Sequence, residues 1–305
     1  MASRCDTMAV KLAQSWRSSW VRHALGLLIL FLLGGMYLSL ADRLLYYPRR
    51  VPMEEVVAQS RVHEFLPWPS AEHYLGLIHT PTKTPVGTLV LFHGNAGHAG
   101  DRVWYADALA ASGLRVILAE YPGYGPRDGA LGESVFVADA IAVINYVRTA
   151  FPGPLIIAGE SLGAGVASAA AASTRADVLL LITPWNDLVS VAGHHYPWLP
   201  VRWLLTDRYD SSLNLQRFHG RIGVIIAGRD SIVPAAFGTA LFDALPEPKQ
   251  RWLVPNAGHN DWMDHLDAVT WNSVIRFVLE PLPGKSTSVE QPVVEVRLKP
   301  GQISQ

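Results

Sequence analysis

The chain has 305 residues, a net charge of −1 from 25 basic and 26 acidic side chains, and hydrophobic residues at half its positions. That length buries a substantial core in one large domain, and a balanced charge with no long basic run speaks against nucleic acid as a partner. Its one cysteine, Cys5, excludes an intrachain disulfide, and the sequence holds no zinc-spaced Cys/His cluster, no Walker motif and no internal repeat.

Residues 1–23 read as an N-terminal tail. Ala24–Ala41 then runs for 18 residues without a charge, enough to cross a hydrocarbon core of roughly 30 Å, which needs about 17–25 helical residues. Trp16, Trp20 and Tyr37 suit the interfaces. The segment is expected to be a retained single-pass transmembrane anchor. A signal peptide cleaved near Ser39-Leu40-Ala41 is the alternative; a buried core helix fits poorly, because the segment is apolar on all faces. Arg4, Lys11, Arg17 and Arg22 precede the span, and Arg43, Arg49 and Arg50 follow it. That slight excess favours a catalytic domain on the non-cytoplasmic side.

The stretch from Tyr46 to Pro52 reads as a connector into a domain at 42–281. Residues His63–Thr80 suit short antiparallel strands. Strands are then expected at Thr88–Phe92, Leu114–Ala119, Leu155–Ala158, Val178–Ile182, Ile222–Ala227 and Arg251–Val254. Helices are expected at Arg102–Ala111, Ser134–Arg148, from Val166 to Ala172, and at Ala268–Leu279. Apolar strands alternating with helices specify a mostly parallel sheet covered on both faces. About forty residues, 183–220, form a small cap. Residues 282–305 read as a flexible tail, with Val293–Val296 a candidate edge strand.

Chemistry in such sheets gathers at the carboxyl ends of strands. Gly159-Glu160-Ser161-Leu162-Gly163 sits between a strand and an Ala-rich helix, the setting of a nucleophile elbow. Ser161 is the candidate nucleophile, and the amide of Leu162 one oxyanion donor. A second donor belongs in His93-Gly94-Asn95-Ala96-Gly97: the Asn95 amide, with Ala96 next. A serine needs a base and an orienting acid, in the chain order serine, acid, histidine. His259 follows the last strand, whereas His265 and His219 do not fall at a strand's carboxyl end; His194 and His195 lie in the cap. Asp230 follows the preceding strand, with Asp187, Asp207 and Asp261 as rivals.

Those segments, together with Tyr121-Pro122-Gly123-Tyr124-Gly125 and the stretch from Tyr196 to Ser211, resemble the α/β-hydrolase superfamily. Within it the chain is similar to membrane-anchored serine hydrolases related to serine aminopeptidases and protein depalmitoylating enzymes. The resemblance runs from about Leu44 to Leu279. It implies an α/β-hydrolase fold, a Ser161–Asp230–His259 triad, acyl transfer to water, and no need of a metal or organic cofactor. Ester or thioester hydrolysis of a small-molecule or lipid-like substrate is expected. A peptidase or amidase on the same triad and a non-catalytic membrane-anchored binding protein are the alternatives. Trp185, Tyr196, Trp198, Trp203 and Tyr209 in the cap either line an acyl pocket or pack the cap onto the sheet.

Overall fold

The computed structural model describes residues 45–280. The chain divides into two units, residues 1–46 and 47–305. Of the first, only Leu45 and Tyr46 are described; every element named here belongs to the second. The expected anchor at 24–41, the tail at 282–305 and its edge strand at 293–296 lie outside the described residues. Among the described residues, no helix is long and apolar enough to cross a membrane.

In chain order come β1 (Tyr47–Pro48), α1 (Met53–Ser60), β2 (Leu66–Trp68), β3 (Gly76–His79), β4 (Gly87–Phe92) and β5 (Ala96–Gly97). Next are α2 (Tyr105–Leu109), β6 (Leu114–Ala119), α3 (Glu133–Ala150), β7 (Leu155–Glu160), α4 (Leu162–Ser173) and β8 (Val178–Ile182). The cap carries α5 (Leu188–His195), α6 (Val201–Leu204) and α7 (Ser211–Asn214). The chain then returns through β9 (Arg221–Ala227), α8 (Ala235–Ala244), β10 (Lys249–Val254) and α9 (Ala268–Leu279).

The main sheet has the order β10-β9-β8-β7-β4-β6-β3-β2. Its strands from β10 to β6 are parallel; β3 and β2 add an antiparallel edge. Strands β4, β7, β8 and β9 are buried at every position, which is why their sequences are unbroken apolar runs. The edge strand β10 alternates in its second half, with Trp252 and Val254 buried and Arg251 and Leu253 exposed. Helix α3 buries Phe136, Ala140, Val143, Ile144 and Val147, one stripe at helical spacing.

The expected helix at 102–111 is instead three short pieces: a 3-10 turn at Ala99–Arg102, α2, and a 3-10 turn at Ala110–Ser112. The side chains of His98 and Asp101 cap one another's backbone around Gly100, and such local bonds compete with a continuous helix. Gly113, in the left-handed region, closes the last piece. Helices α1 and α8 were not anticipated.

Candidate active site

Strand β4 lies between β6 and β7, so the chain leaves it in one direction and returns on the other side. Ligands bind at the carboxyl ends of strands around such a switch point. The strand-end loops after β4, β7, β9 and β10 carry Asn95, Ser161, Asp230 and His259.

Ser161 follows β7 and caps α4 with φ 52° and ψ −112°, a left-handed conformation that a non-glycine residue adopts only when its surroundings hold it there. Its amide donates to Ile182 O of β8 at 2.9 Å. The crossing is tight enough to require glycine. A Cβ on Gly159 would stand 2.2 Å from Gly163 O, and one on Gly163 would stand 2.0 Å from Phe92 O.

The structure brings Ser161, His259 and Asp230 together. Ser161 Oγ donates to His259 Nε2 at 2.8 Å, and His259 Nδ1 donates to Asp230 Oδ2 at 2.6 Å. Asp230 is buried and His259 nearly so. The other carboxylate oxygen, Asp230 Oδ1, accepts from the amides of Ile232 at 2.9 Å and Val233 at 2.7 Å, which satisfies a buried charge. The acid and histidine loops are joined by backbone bonds, Gly228 N to Val254 O and Arg229 N to Ala257 O, both 2.8 Å.

The rivals are occupied elsewhere. Asp187 caps α5 through the Ser190 amide. Asp207 accepts from the Glu133 amide at the start of α3. Asp261 turns the histidine loop by accepting from Gly258 N and lies 3.4 Å from His265. His194, His195 and His219 are exposed.

The amide of Leu162 is the first of α4, where helix N–H groups lack intrahelical acceptors. The Asn95 loop is clamped on several sides. Tyr124 Oη donates to Asn95 O at 2.9 Å and lies 3.0 Å from its Oδ1, while Tyr47 N donates to the same Oδ1 at 3.3 Å. Strand β1 pairs in parallel with β5, Tyr47 opposite Ala96 and Pro48 opposite Gly97. This strap continues through Arg49 N to Gly97 O and Gly125 N to Arg49 O. Tyr121 Oη donates to His93 O at 2.8 Å, and His93 Nε2 meets Glu120 Oε1 at 3.0 Å, with both side chains buried.

Sequence reasoning missed a second buried network. Glu160, directly before Ser161, accepts from Arg102 Nε and from Tyr105 Oη, the latter at 2.7 Å. Burial works against the Arg102 charge, but the Glu160 carboxylate raises the Arg102 pKa above its ordinary value. Burial, with Glu160 adding to it, pushes the Tyr105 hydroxyl well above the usual phenol range. The available signal was a charged residue at the end of an apolar strand, Glu160, or directly after one, Glu120.

In the cap, Trp185 and Tyr209 are buried, and the indole Nε1 of Trp185 donates to Tyr209 O at 3.3 Å. Tyr196, Trp198 and Trp203 are 51%, 75% and 86% exposed. At these exposures the three rings are not packed onto the sheet as Trp185 and Tyr209 are. Among the described residues, no group of three His, Cys, Asp or Glu side chains is placed to hold a metal ion.

The profile of the family described as serine aminopeptidase, S33, matches residues 83–207. An uncharacterised protein of Mycobacterium tuberculosis is 38% identical over 196 residues, 63% of this chain and 69% of its own. The lysophosphatidylserine lipase ABHD12 of Danio rerio is 29% identical over 182 residues, 53% of this chain and 48% of its own. An esterase of Pyrococcus furiosus superimposes with a TM-score of 0.56 at 14% identity, over 77% of this chain and 97% of its own. A monoacylglycerol lipase of Paleococcus ferrophilus gives 0.51 at 18% identity, over 66% and 96%. At these identities the structural likeness concerns the fold.

Proposed function

Because the chain belongs to the α/β-hydrolase superfamily, we propose that it is a serine hydrolase that cleaves carboxylic ester or thioester bonds through an acyl-enzyme. The observation that carries this reading is the continuous relay from Ser161 Oγ through His259 to Asp230. In the proposed reaction His259 Nε2 takes the Ser161 proton as Oγ attacks the substrate carbonyl carbon. Asp230 holds the Nδ1–H tautomer and stabilises the imidazolium. The tetrahedral oxyanion accepts from the amides of Leu162 and Asn95; each such donor is worth on the order of 10²–10³ in rate. Collapse expels the alcohol or thiol, which leaves with the proton from His259. Water, deprotonated by the same histidine, then releases the acid and restores Ser161.

The substrate class in this reading is a lipid-like acyl ester. It draws support from the Danio rerio relative, named for its action on lysophosphatidylserine, and from the apolar segment 24–41. The same reading makes that segment a single-pass membrane anchor. It puts the catalytic domain on the non-cytoplasmic side, which protease accessibility in sealed vesicles tests. The description of the matching family as serine aminopeptidase favours peptide or amide hydrolysis as a second reading.

Fluorophosphonate labelling of the wild type and Ser161→Ala tests the mechanism. The wild type is expected to label and the variant to stay blank. A folded wild type that stays unlabelled sinks the hydrolase reading and leaves a binding protein on this fold. Among p-nitrophenyl esters, thioesters and peptide amides, turnover rising with acyl length separates the two enzymatic readings.

A further inference from the structure

The cap stretch His194–Trp203 combines features that the reaction does not use. Tyr196, Trp198 and Trp203 are exposed, and so is Ile232 at 49% on the adjoining acid loop. Tyr196 and Trp198 meet edge to face, ring centroids 6.4 Å apart. The formally charged side chains exposed beside them are Arg202 and Arg208, and Glu133 of α3 accepts from the Arg208 amide. His194, His195, Arg202 and Arg208 are exposed, and Arg208 Nη2 donates to Arg202 O at 3.4 Å, which brings both guanidinium groups to α6. From Leu188 to Thr206 the sequence has no carboxylate; Asp207, the next, is engaged at the start of α3. Tyr47, Val62, Leu66, Tyr146, Leu213, Leu253 and Val269 are also exposed, but they stand outside this stretch, and the two tyrosines among them are on separate elements, β1 and α3.

We propose that this aromatic, cationic stretch of the cap docks on the surface of an anionic phospholipid bilayer. Side chains with an apolar ring and a polar edge are the ones that sit at the headgroup level of a membrane. Arginines beside them meet anionic headgroups, a contact worth about fivefold per cation at the surface, and with no carboxylate in the stretch nothing on it repels the lipid. The sequence already carries, at 24–41, an apolar run sized for a hydrocarbon core.

Docking there would bear on the active site through short links. His195 Nε2 meets Ile232 O at 2.8 Å. The Ile232 amide is held by Asp230 Oδ1, and the other oxygen of Asp230 holds His259. The ring of His194 also packs against Phe237 of α8, centroids 5.7 Å apart. The cap stretch is therefore fixed to the loop that carries the acid, on the side of the sheet where Ser161 lies.

The test uses the full chain reconstituted in phosphatidylcholine vesicles, with and without added phosphatidylglycerol. An environment-sensitive fluorophore is placed on Trp203→Cys in a Cys5→Ser background, and in parallel on Val269→Cys. Lipids with doxyl-labelled acyl chains quench whichever probe touches the bilayer, independently of the anchor. Quenching is expected at position 203 and not at 269, strengthened by phosphatidylglycerol and weakened about fivefold for each of Arg202→Gln and Arg208→Gln. Equal quenching at both positions, or none at 203 (which would leave the stretch to a protein partner), overturns the proposal.

A second measurement compares a long-chain ester carried in the vesicles with soluble p-nitrophenyl butyrate. The variant with Trp198→Ser and Trp203→Ser is expected to lose roughly tenfold or more in kcat/KM on the vesicle-borne ester and nothing on the soluble one. An equal loss on both assigns the two indoles to folding and overturns the proposal. If the wild type turns over neither ester, the hydrolase reading fails, and the quenching result alone decides the docking.

Discussion

Replacing Gly163 by alanine tests how closely the nucleophile elbow depends on the approach of two backbones. An added Cβ would lie 2.0 Å from Phe92 O, 2.6 Å from Phe92 C and 2.7 Å from His93 O. Real Cβ contacts stay beyond 3.0 Å, and all three neighbours are main chain, so the start of α4 must part from the end of β4 by about 1 Å. Overpacking of this kind costs about 1–3 kcal/mol. For a domain of this size, that lowers Tm by roughly 2–10 °C. The effect on rate is expected to be larger. Phe92 and His93 lead directly into the Asn95 loop, while Gly163 belongs to the helix that starts at Leu162. The substitution therefore separates the two candidate oxyanion donors along the line that, in the proposed reaction, must close on one oxygen. A misplacement of about 1 Å costs on the order of 10²-fold. Circular dichroism, thermal melts and kcat on p-nitrophenyl butyrate measure both effects. A Gly163→Ala protein with wild-type Tm and kcat within about threefold of the parent, under half a decade on the scale where 1.4 kcal/mol is tenfold, would refute the reasoning.

Three further outcomes follow from the same geometry. Asp230→Asn keeps an acceptor for the Ile232 and Val233 amides but presents an N–H to His259, so kcat should fall about 10³–10⁴-fold with little change in fold; activity near wild type would exclude Asp230 as the orienting acid. Arg102→Met leaves the Glu160 carboxylate buried without its cation and should cost about 3–5 kcal/mol, while the double variant with Glu160→Gln should recover much of that; additive losses in denaturant melts would show that the pair is uncoupled. Burial holds the His98 pKa below its ordinary value against the opposing pull of Asp101 and Glu120, with Arg49 and His93 also lowering it, and its Nδ1 accepts from the Gly100 amide. The folded state thus favours neutral imidazole, whose contribution is present above the ordinary value of about 6.5 and is lost as pH falls below it. A pH titration of unfolding free energy should show that loss in the wild type and less of it in His98→Gln; identical slopes would remove the assignment.

The strands, and the loops whose side chains meet at their carboxyl ends, were legible where local pattern is strongest. Leu155–Ala158 is an apolar run because it is buried on both faces, and Ser161 follows it because the elbow needs a strand end. Asp230 and His259 were found by the same logic, each in the loop after a strand. What stayed hidden depends on residues far apart in sequence. Nothing local to Glu160 announces that Arg102 and Tyr105, more than fifty positions earlier, will close on its carboxylate. The exposure of Trp198 and Trp203 was hidden for the opposite reason. Pattern alone does not tell an indole that packs inward from one that projects, since both occur in short, Pro-flanked segments. The break in the 102–111 helix came from side-chain caps at His98 and Asp101, outside the expected span.

The strap formed by residues 47–49 is also the covalent exit of the domain toward residues 1–46. A pull along the chain from that side therefore reaches the Tyr47 amide and the two-residue ladder between β1 and β5 before it reaches the eight-stranded sheet. Those same bonds steady the Asn95 loop, so tension on the N-terminal segment would disturb the candidate oxyanion site before it threatened the fold.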